Sequence, residues 1–588
     1  MMFWFIVSAV LLLFALRFRY PYFIKEATYA RRIAVAIYRT TKYLKSKPFY
    51  TLVDRFLDSD QTYSYAQSDK QSNKIARSLL KHADLHEGDT VALLLGNEPM
   101  FLLMWLALIG CSAALLNHNI RSKSLLHCFT CCGANALIAG AGTVTPPEVL
   151  PALREQGISV YILTDHVTTE GMESLTDKIT QASDEPIPAD LRANITMSSP
   201  AAYIYTSGTT GLPKAAVIAQ LRLWAIASLF SICGVKSDDV VYICLPLYHS
   251  AGFAVGFGGA IERGATVVLK SKFSSSQFWD DCRKYNVTVI QYIGETMRYL
   301  CNTPKVFEHF KNDQVHNVRM ALGNGIRPEV WRTFISRFGN VDIKEFYGST
   351  EGTLGFLNYA GKIGAIGRVN FFHKKLYPYA LVKFDQEREE PVRNADGFCI
   401  EVAKGETGLL VSKITQKAQF AGYARDPKQT EKKKLYSVFE KGNVYFNSGD
   451  LFRTDHENFI YFQDRVGDTF RWKGENVSTN EVSDILTMAT SIEEANTYGV
   501  TVSGYEGRTG MATITLKKDH QFEPRFIRIQ DCLDVTCTFK QLKGKLVEEG
   551  FNPAVITDLL FVLDETLKSY RPLTHDTYQS ILDGCFRL

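Results

Sequence analysis

The chain has 588 residues, 46% of them hydrophobic and 22% charged, a length that calls for two to four packed units at about 100 to 200 residues each. That composition excludes a globally disordered chain, a collagen-like fibre and a polytopic membrane bundle, and leaves a large folded protein of the size of an enzyme. The net charge of +4 is uneven: residues 1–47 hold nine basic side chains against one acid, Glu26, so the remainder is net negative and offers no electrostatic case for binding nucleic acid.

Residues 1–16 carry no charge, and Ser8 is their one polar side chain. A spanning helix needs about 20 residues, which the aromatic cluster up to Phe23 supplies. The basic residues follow the apolar run, whereas a cleaved signal peptide carries them in front. The reading is a membrane anchor over 1–23 and a basic juxtamembrane linker over 24–60, with the body on the cytosolic side by the positive-inside rule. A second apolar run, 100–116, is punctuated by turn residues. It reads as a buried unit of strand 90–95, helix 98–109 and strand 113–116, not as a span. The twelve cysteines are scattered. Cys128, Cys131 and Cys132 form the one cluster and lack a second ligand pair at metal-site spacing, which fits thiols in a reducing compartment.

From residue 90 onward short apolar strands alternate with helical stretches. Strands are expected at 240–245, 266–269, 287–293, 318–322 and 341–346, with amphipathic helices at 276–285 and 328–338. That order predicts open, mainly parallel sheets covered by helices, whose ligands sit beyond the carboxyl ends of the strands. Over about 378–464 the strands become shorter, as at 408–414 and 458–462, and predict a β-rich subdomain. The charged, glycine-bearing segment 464–475 then leads into a smaller α+β domain.

The strongest local signal is YTSGTTGLPK, Tyr205 to Lys214. Its glycines let the backbone fold tightly so that amides and hydroxyls converge on phosphate oxygens, and the lysine adds a mobile positive charge. Gly208, Gly211 and Lys214 lack the spacing of a Walker loop, and a loop rich in serine and threonine also suits a plain turn.

This string closely resembles the adenylate-forming superfamily of acyl-CoA synthetases, luciferases and peptide-synthetase adenylation domains. Together with LPLYHSAG, QYIGE, ALGNGIR and DRVGDTFRWKGENVSTNEV, it is similar to the fatty acid transport proteins, also called very-long-chain acyl-CoA synthetases. The resemblance runs over essentially the whole chain. It implies an α/β fold: a large domain over 61–464, of two doubly wound α/β subdomains plus a β-barrel-like subdomain, and a small mobile α+β domain over 465–588.

The resemblance also implies roles. Tyr205, Thr206, Ser207, Gly208, Thr209, Thr210, Gly211 and Lys214 would hold the ATP phosphates. Gly323, Asn324 and Gly325 would let the backbone approach the adenine, with Tyr347 against the base and Gly348 beside it. Thr350 would lie near the α-phosphate, and Glu351 would hold Mg2+ with Thr209. Asp450 would accept from the ribose hydroxyls, while Arg465 and Lys473 complete the nucleotide contacts and Gly467 marks a hinge. Lys540 would be the lysine used in adenylation, and His249 would border the tunnel where acyl chain and coenzyme A meet. Taken without the family, most of these have bland readings: a solvated cap for Glu351, a surface ion pair for Arg465, a wet helix face for Lys540.

The implied chemistry is activation of a long- or very-long-chain fatty acid to its coenzyme A ester through an acyl-adenylate. One anion must meet another, so the site has to neutralise charge and hold geometry, and needs no general base for a carboxylate already ionised at pH 7. The family further implies coupling to fatty acid uptake, placement at the endoplasmic reticulum or plasma membrane, and leaves homo-oligomerisation open. The alternative is a fatty acid transporter or binding protein with weak or no ligase activity. The sequence departs from the family pattern in two places, a shorter connection after Lys517, with Cys537 where a glycine is usual, and a missing strand near residues 58–63; the first favours the alternative, while intact Lys214, Glu351, Asp450, Arg465 and Lys540 argue against it.

Overall fold

The computed structural model describes residues 22–586 except 47–55, 59–60, 84, 109, 121, 141–148, 165–171, 207–212, 304–312, 386–387, 467–469, 473–474, 478, 489–491, 503–507, 517–525, 531–542, 565–566, 568 and 584. The chain divides into two compact units, one drawn from residues up to 376 together with 417–432, the other from 377–416 and 433 onward.

The first unit contains two open sheets. The first runs Glu173–Ser174, Ser159–Leu163, Ala136–Gly140, Thr90–Leu94, Ser112–Leu115, Pro200–Thr206 and Lys214–Ala219. All its neighbours are parallel until the last pair, which is antiparallel. Every residue of Thr90–Leu94, Ser112–Leu115 and Ala136–Gly140 is buried, which is why these strands read as unbroken apolar runs and not as alternation. The helix Pro99–Ala107 joins the first two of them, apolar nearly all round and opened by a proline at its first turn. The run 100–116 is therefore the buried strand–helix–strand unit its turn residues predict.

The second sheet has eight strands, in the order Gly355–Leu357, Asp342–Gly348, Met320–Asn324, Val289–Ile293, Val240–Ile243, Thr266–Leu269, Phe56–Asp58 and Gln61–Tyr63. It is parallel through the middle and antiparallel at both edges. Phe56–Asp58 and Gln61–Tyr63 pair antiparallel at one edge of this sheet. The strands from Met320 and Asp342 each run two residues past their expected ends, through Asn324 and Gly348. Gly323 and Asn324 continue in parallel pairing with Tyr292 and Ile293, and Tyr347 and Gly348 in antiparallel pairing with Phe356 and Gly355, residues that hydropathy alone does not count as strand. The two sheets share one apolar core in which Phe101, Trp105, Phe253 and Phe257 meet, Trp105 and Phe253 edge to face at 4.9 Å.

The helix Phe23–Ser46 occupies part of the stretch read as a linker. It is tied to the unit by its own basic residues. Arg32 donates to the carbonyl of Cys233 at 2.9 Å, at the carboxyl end of the helix Leu229–Cys233, where a cation is favoured. Lys25 donates to Ala360 O at 2.6 Å, Glu26 pairs with Arg368, and Tyr29 stacks on Tyr359 at 4.4 Å. The expected anchor lies outside the described residues apart from its last two positions. Among the described residues no helix is long and apolar enough to cross a membrane.

Among the described residues the second unit holds two larger sheets and two two-stranded ones. Tyr379–Val382, Thr407–Lys413, Val444–Thr454 and Phe459–Arg465 pair antiparallel in that order, and Lys434–Tyr436 joins Val444–Thr454. This is the β-rich stretch expected from its short strands and turns. The segment after Arg465 carries a hairpin, Phe470–Trp472 with Glu475–Val477. A five-stranded sheet, Ile492–Val500, Thr509–Leu516, Phe526–Ile529, Leu559–Asp564 and Ser569–Pro572, follows with the helices Thr479–Met488, Gly544–Glu549 and His575–Leu582.

The ten cysteines among the described residues are free thiols. Burial pushes the Cys131 thiol up to about 12 and raises Cys128 and Cys132 as well, which keeps the cluster protonated and inert. Among the described residues no group of three His, Cys, Asp or Glu is placed to hold a metal.

Candidate functional site

In the first unit the chemistry-bearing residues gather at strand ends. Thr206 and Lys214 face each other in register across the antiparallel pair, so the two ends of the glycine-rich loop are held together. Ser207, Gly208, Thr209, Thr210 and Gly211 lie outside the described residues. Tyr205, one step back on the strand, donates its hydroxyl to Cys128 O at 2.7 Å, and burial lifts its phenol well above the usual range. Its hydroxyl is thereby committed to the scaffold.

The second strand of that pair carries a further neighbour. Val217 N donates to Gly422 O at 3.0 Å and Ala424 N to Ala215 O at 2.9 Å. Gly422 takes a φ of +76°, which glycine adopts without the steric cost of a Cβ, and Thr430 Oγ1 accepts from Tyr423 N at 2.9 Å. Tyr423 is thereby set beside Lys214, whose Nζ lies 5.7 Å from the centre of its ring and donates to Gln429 Oε1 at 2.8 Å.

The hydroxyl of Tyr423 donates to Glu351 Oε1 at 2.7 Å. Glu351 sits in the turn between Asp342–Gly348 and Gly355–Leu357, strands that pair Gly348 with Gly355. The turn is held from beneath by Arg222, which donates to Ser349 O at 2.7 Å and Thr350 O at 3.2 Å. Burial pulls the Arg222 guanidinium down to about 10, with Glu351 opposing, so it remains a cation at neutral pH. Thr350 Oγ1 lies 3.4 Å from Ser250 Oγ, next to His249. His249 Nδ1 accepts from Ala251 N at 3.3 Å at the start of the π-helical turn Ala251–Phe257, a wide turn that is frequent at functional sites.

Gly323, Asn324 and Gly325 end the adjacent strand. A Cβ on Gly323 would lie 2.0 Å from Tyr292 O, and Gly325 has a φ of +81°. Their turn is pinned by Glu345, which accepts from Gly325 N at 2.5 Å, Ile326 N at 3.3 Å and the Tyr292 hydroxyl at 2.5 Å. Burial pushes the Glu345 carboxyl up to about 8 against these three hydrogen bonds. The ring of Tyr347, half-buried, lies 6.1 Å from that of Phe356, and Gly348 is exposed with open space around it.

In the second unit Asp450 and Arg465 face each other in register, with 3.5 Å between Arg465 Nε and Asp450 Oδ1. Neighbouring Asp464 is fully buried and accepts from the amide and hydroxyl of Thr479 at 2.7 and 3.1 Å, anchoring the helix Thr479–Met488. Lys543 donates to the same hydroxyl at 2.6 Å. Gly467, Lys473, Cys537 and Lys540 lie outside the described residues.

Lys214, Thr350, Glu351 and the 323–325 turn are thus placed on adjoining strand ends of one unit. Arg222, Glu345, Tyr423 and Gln429, which support them, are absent from any sequence motif singled out above. A lone arginine in the apolar run QLRLWAIA and a lone tyrosine in FAGYARDP were the available signals. The donor set suits a Mg-nucleotide. A mobile ammonium and paired loop ends can meet phosphate oxygens, and one hard carboxylate is enough for a magnesium ion that keeps waters and phosphates as its other ligands.

Comparison with known proteins shows what the chain is similar to. The sequence model of the family described as AMP-binding enzyme matches residues 41–405. The chain is 50% identical to long-chain fatty acid transport protein 2 of Rattus norvegicus, over 97% of this chain and 96% of that one. It is 46% identical to long-chain fatty acid transport protein 6 of Homo sapiens, over 98% of each. Among solved structures it is similar to ATP-bound MatB from Rhodopseudomonas palustris, with a TM-score of 0.72 at 20% identity over 85% of this chain and 95% of that one. The anthranilate CoA ligase AuaEII in complex with anthranoyl-AMP gives 0.69 at 19%, over 84% and 93%. At those identities the likeness speaks for the fold.

Proposed function

For a chain that belongs to the AMP-binding enzyme family and, within it, to the long-chain fatty acid transport proteins, we propose an AMP-forming ligase that activates long- or very-long-chain fatty acids to acyl-CoA, in step with fatty acid uptake. It uses ATP, Mg2+ and coenzyme A. The observation that carries the reading is the placement of a cation, Lys214, and an anion, Glu351, at neighbouring strand ends about one tyrosine, where a polyphosphate and its metal need opposite charges.

In this reading the segment from Thr206 to Lys214, with Ser207, Gly208, Thr209, Thr210 and Gly211, holds the phosphates, and Thr350 lies near the α-phosphate. Mg2+, held by Glu351 with Thr209, would neutralise charge on the phosphates. Tyr347 and the turn of Gly323, Asn324 and Gly325 border the base, with Gly348 leaving room. Asp450, Arg465 and Lys473 serve the ribose and phosphates. Lys540, on a small domain over 465–588 that pivots near Gly467, serves adenylation and withdraws for thioester formation against the body over 61–464. His249 stands at the tunnel for acyl chain and thiol.

A long-chain acid partitions into bilayers, since each buried methylene is worth about 0.8 kcal/mol. An anchor within residues 1–23, followed by the basic helix Phe23–Ser46, would keep the body on the cytosolic face of the endoplasmic reticulum or plasma membrane, where that acid is found. Self-association there is compatible with the reading.

The test is to incubate the purified protein with Mg-ATP and oleate, with and without coenzyme A, and to follow acyl-AMP, acyl-CoA and pyrophosphate, with Lys540→Ala alongside. Acyl-CoA that requires coenzyme A and falls in the variant is the expected result. A folded protein that binds oleate but makes neither adenylate nor pyrophosphate would instead be a transport or binding protein.

A further inference from the structure

Tyr423 stands between two groups of opposite charge that the reaction needs apart. Its hydroxyl donates to Glu351 Oε1 at 2.7 Å, and its ring faces Lys214 Nζ at 5.7 Å. An ammonium and a carboxylate this near one another gain most by pairing directly. If they did, Lys214 would be lost to phosphate and Glu351 to the metal. Two further contacts work against that collapse. Gln429 accepts from Lys214 at 2.8 Å, and Arg222 holds the main chain of the turn that carries Glu351 through Ser349 O and Thr350 O.

Tyr423 is itself rigidly seated, being 7% exposed, with its amide bonded to Thr430 Oγ1 and its flanking residues paired to the strand Lys214–Ala219. A hydrogen bond to one carboxylate oxygen fixes the torsion of Glu351 and leaves the other oxygen to a metal, which is how outer groups orient metal ligands.

We propose that Tyr423 is a positioning residue, holding Glu351 in its metal-binding orientation and keeping it from Lys214, while Gln429 holds Lys214 until phosphate replaces it. This rests on the nucleotide reading above. Arginine at 222 and glutamine at 429 belong to the same device, but the tyrosine hydroxyl is the atom whose removal isolates it.

The experiment measures equilibrium binding of α,β-methylene-ATP by calorimetry across a magnesium titration, for the wild type, Tyr423→Phe, Glu351→Gln and the double variant, with thermal unfolding of each. Phenylalanine keeps the ring and the packing. The expected result for Tyr423→Phe is that about tenfold more magnesium is needed for half-maximal nucleotide binding, the loss of one hydrogen bond to a charged group, with binding in the absence of magnesium unchanged. In the Glu351→Gln background the same substitution adds nothing, because it acts through that carboxylate. An unchanged magnesium requirement in Tyr423→Phe, or an equal loss in the Glu351→Gln background, overturns the proposal. A wild-type protein that binds no nucleotide at any magnesium concentration brings down the nucleotide reading first, and the role of Tyr423 with it.

Discussion

Arg222 illustrates how a residue outside every motif can determine a site. Its guanidinium reaches two successive carbonyls, of Ser349 and Thr350, so one buried cation sets the path of the turn that presents Thr350 and Glu351. Arg222→Met preserves much of the bulk but leaves those carbonyls without their donor, and chemical denaturation should report a loss of about 1–3 kcal/mol. Lysine cannot replace the fork, which needs two donors in one plane, so Arg222→Lys should recover stability only in part and leave the KM for ATP raised. Glu345 makes a different prediction. Its folded carboxyl is pushed up to about 8, above its unfolded value, so the folded state binds the proton more tightly. The contribution is fully present below the unfolded pKa and is lost as pH rises through the window up to about 8. The stability of the wild type relative to Glu345→Gln should therefore fall across that window, by at most about 1.4 kcal/mol per pH unit. A flat difference between the two denaturation series would refute this.

At the scale of elements, what matters is how closely the strand ends approach one another. The turn at Gly323 is narrow because the neighbouring strand's main chain occupies the space a side chain would take, with Tyr292 O at 2.0 Å from a Cβ built there. The Tyr292 main chain, paired into the sheet, cannot yield, so Gly323→Ala should unfold the first unit at markedly lower denaturant, among the larger losses seen for single substitutions. Gly348, one strand over, has nothing within 4 Å of such a Cβ. Gly348→Ala should therefore leave the unfolding midpoint within about 0.5 kcal/mol, and any loss of nucleotide affinity it causes reports on the site and not on folding. Comparing the two separates a glycine required by its own fold from one available to a ligand.

At the scale of the whole molecule, two compact units with their own apolar cores predict unfolding in more than one transition. The second unit offers a handle on its own transition. Arg528, 7% exposed at its side chain, pairs with Asp558 and Glu549, each at 2.6 Å. Arg528→Met leaves two carboxylates short of their cation, which should cost about 3–5 kcal/mol. In calorimetry the transition of the second unit should move down while that of the first stays in place. Movement of both together would show that the units unfold as one.

Local sequence was sufficient for the alternation of strands and helices, the buried unit at residues 90–116 and the helix Pro328–Phe338, because hydropathy period and turn residues are written in neighbouring positions. Family resemblance supplied candidate roles for Glu351, Asp450 and Arg465, whose residue types by themselves fit ordinary surface positions. What tertiary structure alone decided is which groups hold these in place. Tyr423 reaches Glu351 across 72 positions and Gln429 reaches Lys214 across 215, while Arg222 finds its carbonyls 127 and 128 residues away. Such contacts are set by sheet order and strand register, and neither quantity leaves a mark on the residues next to them.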